Sequence, residues 1–322
     1  MQTLTAKDYK ILSELDRNSR QSISSIARSV GLSKQAVAYR MKVLLDNKVV
    51  NHLLPVIDSQ RLGFTFYNVF LNVREKDSKN IVEFLSSQPE VSWLVSCVGK
   101  WNVVAAVLAK DTTELQELLE RVQEKFNESL EGKSFQIIID AFPCDKKHLS
   151  GKKIEDVRRQ YYGYRTPYEL DVVDKRILRE LNNNVRLSSL KMAEKLMLSP
   201  NTVKSRIKKM HSDGLIQRFS MKINPFKLGL EWYYTLFELE TATKEQKGAI
   251  IETLYRHNNV VFVANAIGIQ SLNVDFHVKN QLELKDIIHS LHDDFPFIKS
   301  HESLLVTEEH KCTFIPEKLV AV

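Results

Sequence analysis

The chain has 322 residues, 43% of them hydrophobic and 27% charged, with a formal charge of +6; this balance excludes a disordered or fibrous protein and leaves room for two or more cores. No apolar run approaches the ~20 residues needed to cross a bilayer, and the stretch from Met1 to Lys7 has no charged-then-apolar leader pattern, so a cytoplasmic protein with no membrane contact is expected. The three cysteines, Cys97, Cys144 and Cys312, are too scattered for a disulfide framework or a zinc site and read as incidental thiols of a reducing compartment.

In chain order, Thr5 is placed to cap a helix that carries Tyr9, Ile11, Leu12 and Leu15 on one side and ends near Asn18. A second short helix covers about 22–30, and Gly31 supplies a permissive turn before a helix capped by Ser33. Three short helices with a tight turn before the third predict a helix-turn-helix. A wing strand follows over 49–54, closed off by Pro55. Beyond Gly63 the pattern predicts a strand at 65–73, a helix at 78–87, strands at 91–98 and 102–109, a helix at 112–127 and a strand at 135–141. This βαββαβ order predicts a ferredoxin-like sandwich with both helices on one face of an antiparallel sheet. Residues 144–166, rich in Lys and Arg, read as a linker with one helical turn around 154–160.

The series then returns. Ile11 and Ile177, Leu15 and Leu181, Arg20 and Arg186, Ala27 and Ala193, Ser33 and Ser199, Val37 and Val203, Arg40 and Arg206, and Gly63 and Gly229 are identical pairs, each 166 positions apart. So many identities in one register predict a tandem duplication of a whole unit. In the second βαββαβ segment, with strands at 233–239, 260–266, 271–278 and 303–307 and helices at 245–257 and 282–293, Gly268 answers Gly99 at an offset of 169. The expected fold class is therefore α+β, two copies of a winged helix-turn-helix followed by a ferredoxin-like domain. The expected boundaries are 1–58, 59–143, a linker at 144–166, 167–224 and 225–322. Lys and Arg exceed Asp and Glu in 1–50, 144–166 and 167–216, and fall short of them in 51–143 and 217–322. A chain with two anion-binding heads alternates in this way.

On a helical wheel Val37, Met41 and Leu44 face inward, which exposes Gln35, Tyr39 and Lys42 with Ala38 at the margin. In the second copy Val203, Ile207 and Met210 face inward and Asn201, Ser205 and Lys208 are exposed, with Lys204 at the margin. Such a helix fits the major groove, where Gln or Asn can bond adenine, Lys can reach guanine and Ser can serve either. Lys34 and Lys209 are placed for phosphates. Arg40 and Arg206, at the edge of the inner face, suit either a phosphate contact or an ion pair with a neighbouring helix.

The pattern Asp8-x-x-Ile11-Leu12-x-x-Leu15, the Ser-led third helix with Val37, Arg40 and Leu44, and Asp58-x-x-x-Leu62-Gly63 after the wing resemble the Lrp/AsnC family of leucine-responsive regulators. The same features recur at Asp174, Ile177, Leu178, Leu181, Val203, Arg206, Met210, Asn224, Leu228 and Gly229. The resemblance implies a transcription regulator that binds double-stranded DNA and whose ferredoxin-like domains pair sheet to sheet, here within the chain, in a homo-oligomer, or both. Two unlike heads predict an asymmetric DNA site. The resemblance also implies a small amino-acid-like effector near the turn between the second and third strands, at Gly99, Trp101 and Asn102 and again at Gly268 and Ser271, although neither turn keeps the acidic residue common in the family.

No catalytic residues, metal ligands or cofactor are expected, and His289 and His292 read as surface residues on a helix. Two alternatives stand beside the regulator. One is a fused enzyme resembling the siroheme decarboxylases, which share the two-domain layout; the other is an architectural protein that binds DNA without sequence preference.

Overall fold

A computed structural model describes residues 4–149, 166–268 and 270–320, so the helical turn expected around 154–160 lies outside the described residues. In the first unit α1 (Ala6–Arg17), α2 (Ile23–Val30) and α3 (Lys34–Asp46) lead into β1 (Val50–Ile57). Then come β2 (Thr65–Val73), α4 (Glu75–Ser87), β3 (Val91–Val98), β4 (Val103–Ala109), α5 (Thr112–Phe126) and β5 (Leu130–Pro143). The second unit repeats the order with α6 (Val172–Asn183), α7 (Ser189–Leu196), α8 (Pro200–Ser212), β6 (Ile216–Ile223), β7 (Glu231–Leu239), α9 (Lys244–Arg256), β8 (Val260–Ile267), β9 (Leu272–Val278), α10 (Gln281–Asp294) and β10 (Ile298–Cys312). A last short helix, α11 (Glu317–Val320), closes onto the second head. No helix among the described residues is long and apolar enough to cross a membrane.

Local chemistry accounts for the helix starts. Thr5 Oγ1 accepts from the Asp8 amide while the Asp8 carboxylate accepts from the Thr5 amide, a reciprocal cap. Ser22, Ser33, Ser188 and Ser199 cap α2, α3, α7 and α8 through their side-chain oxygens. Pro55 does not end the wing strand: it sits inside β1 opposite Phe219. In a two-stranded sheet alternate amides face away from the partner, so a residue without N–H is tolerated there.

The units interlock through their strands. β1 pairs antiparallel with β6, and Leu54 lies opposite Ser220, its own counterpart in the repeat, so a pseudo-two-fold axis passes through that pair. The other eight strands form one closed barrel in the order β10-β3-β4-β2-β5-β8-β9-β7. The ferredoxin-like sheets thus pair within the chain, through β5 with β8 and β10 with β3. β5 and β10 run well beyond the expected strands at 135–141 and 303–307 because each pairs with its own sheet at one end and with the other unit at the other.

Closure removes sheet edges and gives the barrel an interior built from both units. Phe70, Val95 and Val104 pack there against Trp232, Tyr234, Leu236, Leu304 and Val306. Asn68 Nδ2 donates to Tyr234 Oη at 2.8 Å, two equivalent positions meeting near the same axis. The heads also share cores: Met221 and Ile223 of β6 complete the first, and Ile57 of β1 completes the second.

Candidate nucleic-acid interface

Each head presents its third helix after a tight turn. Gly31, at the end of α2, has φ 65°. Its counterpart Met197 takes the same left-handed geometry at φ 55° with its side chain in solvent, 88% exposed. The second turn, after the third helix, reverses the arrangement, with Lys48 at φ 55° and Gly214 at φ 77°. Each head therefore holds glycine at one left-handed position and a strained residue at the other.

Val37, Met41 and Leu44 face the first core, and Val203, Ile207 and Met210 the second. Lys34, Gln35, Tyr39 and Lys42 are exposed, Tyr39 to 70%, and Ala38 is half-buried at the margin. On α8, Asn201, Lys204, Ser205, Lys208 and Lys209 are exposed. Ser205 Oγ donates to the Thr202 carbonyl at 2.9 Å, and Lys209 Nζ lies 2.7 Å from Asp213 Oδ2 one turn on.

Of the two roles open to Arg40 and Arg206, the structure places both in ion pairs. Arg40 Nη1 donates to Asp8 Oδ1 at 2.8 Å, and Arg206 Nη1 to Asp171 Oδ2 at 2.6 Å and Asp174 Oδ2 at 3.3 Å. Burial works to raise the Asp8 carboxyl, but the Thr5 and Arg40 donors hold it below its usual value. These arginines tie the third helix to the first and so set its tilt.

The effector positions are engaged within the fold. A Cβ on Gly99, at φ +149°, would stand 2.7 Å from Leu304 Cδ2, and one on Gly268 would stand 3.2 Å from Gln136 Cγ. The glycines thus admit the other unit's last strand. The Asn102 side chain accepts from the Val73 amide at 2.9 Å and donates to the Val73 carbonyl at 2.6 Å. Trp101 lies 6.1 Å from Phe70 between ring centroids. Ser271 is buried, its amide donating to Phe237 at 2.9 Å.

Sequence reasoning missed a buried polar line between the wing sheet and the barrel. Lys222 Nζ pairs with Glu309 at 2.8 Å, and Trp232 Nε1 donates to Asp275 Oδ1 at 2.6 Å. Burial pushes the Asp275 carboxyl up to about 7, against the pull of Lys222. Two adjoining cavities of about 50 Å³ each share Lys222, Phe262, Asp275 and Phe314 in their walls. These polar residues carry no periodic signature, since they come together from four separate strands, β6, β7, β9 and β10. Among the described residues no group of three His, Cys, Asp or Glu side chains is placed to hold a metal ion. His289 instead pairs with Asp293 at 3.0 Å, and His292 with His301 at 3.1 Å.

Residues 170–211 match a family model of the AsnC-type helix-turn-helix domain, and residues 4–51 a winged helix-turn-helix DNA-binding model. An HTH-type transcriptional regulator of Pyrococcus furiosus is 32% identical over 142 residues, which is 95% of that protein but 44% of this chain. The regulator LrpB of Bacillus subtilis is 26% identical over 150 residues, 95% of its length and 46% of this chain. Among solved structures, the siroheme decarboxylase NirDL superposes with a TM-score of 0.63 at 16% identity, covering 96% of this chain and 94% of that one, a likeness of fold.

Proposed function

As this chain belongs to the Lrp/AsnC family of helix-turn-helix transcription regulators, we propose that α3 and α8 are its two DNA-reading surfaces, carried by heads at 1–58 and 167–224. The ferredoxin-like segments at 59–143 and 225–322 then serve as the internal dimerisation frame. One observation carries the reading: on both helices the non-core face is exposed and cationic, whereas Arg40 and Arg206 hold the helix beneath it by the same ion pair in both units. Gln35, Tyr39 and Lys42, and Asn201, Ser205 and Lys208, contact bases, with Ala38 and Lys204 at the margin of that face, while Lys34 and Lys209 contact phosphates. Selection of bound duplexes from a random DNA pool tests this directly. Recovery of a sequence motif with steeply salt-dependent binding is expected, and binding that ignores both sequence and salt overturns it.

An amino-acid-like effector at the Gly99 and Gly268 turns, and assembly of further copies, belong to the same proposal. At those turns Asn102 and Ser271 stand where a carboxylate would bind an amino group, so such an effector would be held by neutral groups. The fold shared with a siroheme decarboxylase supports a second reading, an enzyme acting on a tetrapyrrole. The two interior cavities, at about 50 Å³ each, are too small for such a ligand, whereas a groove of about 770 Å³ lined by Tyr233, Leu282, Lys285, His289, His292 and His301 has the several hundred Å³ that one needs. Titration with a tetrapyrrole, followed by its Soret band, distinguishes the two: a saturable shift supports the enzyme.

A further inference from the structure

The heads touch through the turns that follow their first helices. Arg20 Nη1 donates to the Val185 carbonyl, and its counterpart Arg186 donates to the Ser19 carbonyl through Nη1 and to the Gln21 carbonyl through Nη2 at 2.9 Å. The Ser19 amide in turn donates to the Phe219 carbonyl at 2.9 Å, and the Arg20 guanidinium lies 5.3 Å above the Phe219 ring. Both arginines are half-buried, and burial lowers the pKa of each, with the charge of Arg186 adding to the effect at Arg20. Two like charges held this close are retained because each satisfies backbone carbonyls of the other head, a geometry the planar guanidinium suits. Together with the β1–β6 ladder and the shared cores, this clamp joins the two heads directly at several places among the described residues.

The faces so fixed are unlike. One offers Gln35, Tyr39 and Lys42, the other Asn201, Ser205 and Lys208. We infer that a single chain recognises one composite duplex site, made of two different half-sites in a fixed order and at one spacing, and that Arg20 and Arg186 are the positioning residues that set this spacing. The inference rests on the DNA-reading assignment above. The pseudo-two-fold axis through Leu54 and Ser220 relates the two third helices, as the axis of a two-fold dimer relates its two reading helices. Chemistry decides the asymmetry: a side-chain amide and a phenol at one end, a shorter amide and a hydroxyl at the other.

The test uses the full chain and duplexes built from the two half-sites that the random pool yields. Spacers are lengthened one base pair at a time across a full turn, about 10–10.5 bp. Affinity is expected to peak at one spacing and to fall about tenfold or more half a turn away, and replacing either half-site by a copy of the other should cost about tenfold. The Arg20→Gln/Arg186→Gln variant should flatten the spacer profile while holding affinity for an isolated half-site, a separation that a general loss of stability does not produce. Should the double variant fail to fold, the wild-type spacer series and the two single variants decide the matter. A flat wild-type profile, equal preference for duplicated half-sites, or variants with an unchanged profile overturns the inference while leaving DNA reading intact. Failure to recover any salt-dependent motif overturns the DNA-reading assignment itself, and the inference with it.

Discussion

Lys146, three residues past the end of β5, reaches back to Asp16 on α1, Nζ to Oδ1 at 2.7 Å, and both side chains are buried. The Lys146 amide donates to the other carboxylate oxygen at 2.8 Å, and Ser220 Oγ on β6 donates to Oδ1 at 3.1 Å. One carboxylate therefore joins the first head, the start of the linker and the second unit's wing strand. Burial works to raise the Asp16 carboxyl, but Lys146 and Arg218 hold it below its usual value. A depressed folded-state pKa contributes stability above the unfolded value, and that contribution is lost as pH falls through the carboxylate range. Asp16→Ala leaves a buried ammonium without its counter-charge and should cost about 3–5 kcal/mol in denaturant unfolding. Asp16→Leu/Lys146→Met should recover much of the loss.

Asp275 has the opposite sign. Its carboxyl is raised to about 7, so the folded state holds a proton that the unfolded chain releases near pH 4. Stability should fall as pH climbs between these values and level off above. Asp275→Asn keeps an oxygen for the Trp232 donor and removes the titration. Thermal unfolding of this variant should show a flatter profile between pH 4 and 7, with the gain over wild type largest near pH 8.

The two strained left-handed positions predict gains. Met197→Gly and Lys48→Gly release residues from φ 55°, a geometry that costs side-chain-bearing residues about 1–2 kcal/mol, partly offset by the extra freedom of glycine in the unfolded chain. Each substitution should stabilise by up to about 1 kcal/mol, measured by chemical denaturation. At Gly31 and Gly214 the reverse change to Ala should destabilise.

Lys42 and Lys208 are exposed at equivalent positions of α3 and α8. Replacing either by Ala should relax specificity at one base pair of its half-site and cost about 1–3 kcal/mol of binding. Loss of both should exceed either alone. Equal losses in the single and double variants would show that only one head engages.

Short-range chemistry made much of this molecule readable from its residues. Serine caps at Ser33 and Ser199, apolar spacing from Val37 to Leu44, the continuous apolar run of β4, and the recurrence at a fixed offset are all properties of neighbours a few positions apart, or of one register. They were enough for the winged helix-turn-helix, the βαββαβ order and the exposed face of the third helix. Arg40 was readable only as one of two roles, because its partner Asp8 lies two helices away and a wheel cannot weigh solvent against an ion pair.

The docking of the two units decided the rest. β5 and β10 are long because each finds a second partner in the other half, which no periodicity within the strand announces. The Arg20 and Arg186 clamp and the Asp16–Lys146 pair depend on groups more than a hundred positions apart along the chain, and the raised carboxyl of Asp275 on residues from three other strands. Burial of polar groups is a property of what packs over them, and here each unit is covered by the other. Residue order thus specifies two helix-turn-helix heads, and the packing of the two units specifies how those heads contact each other.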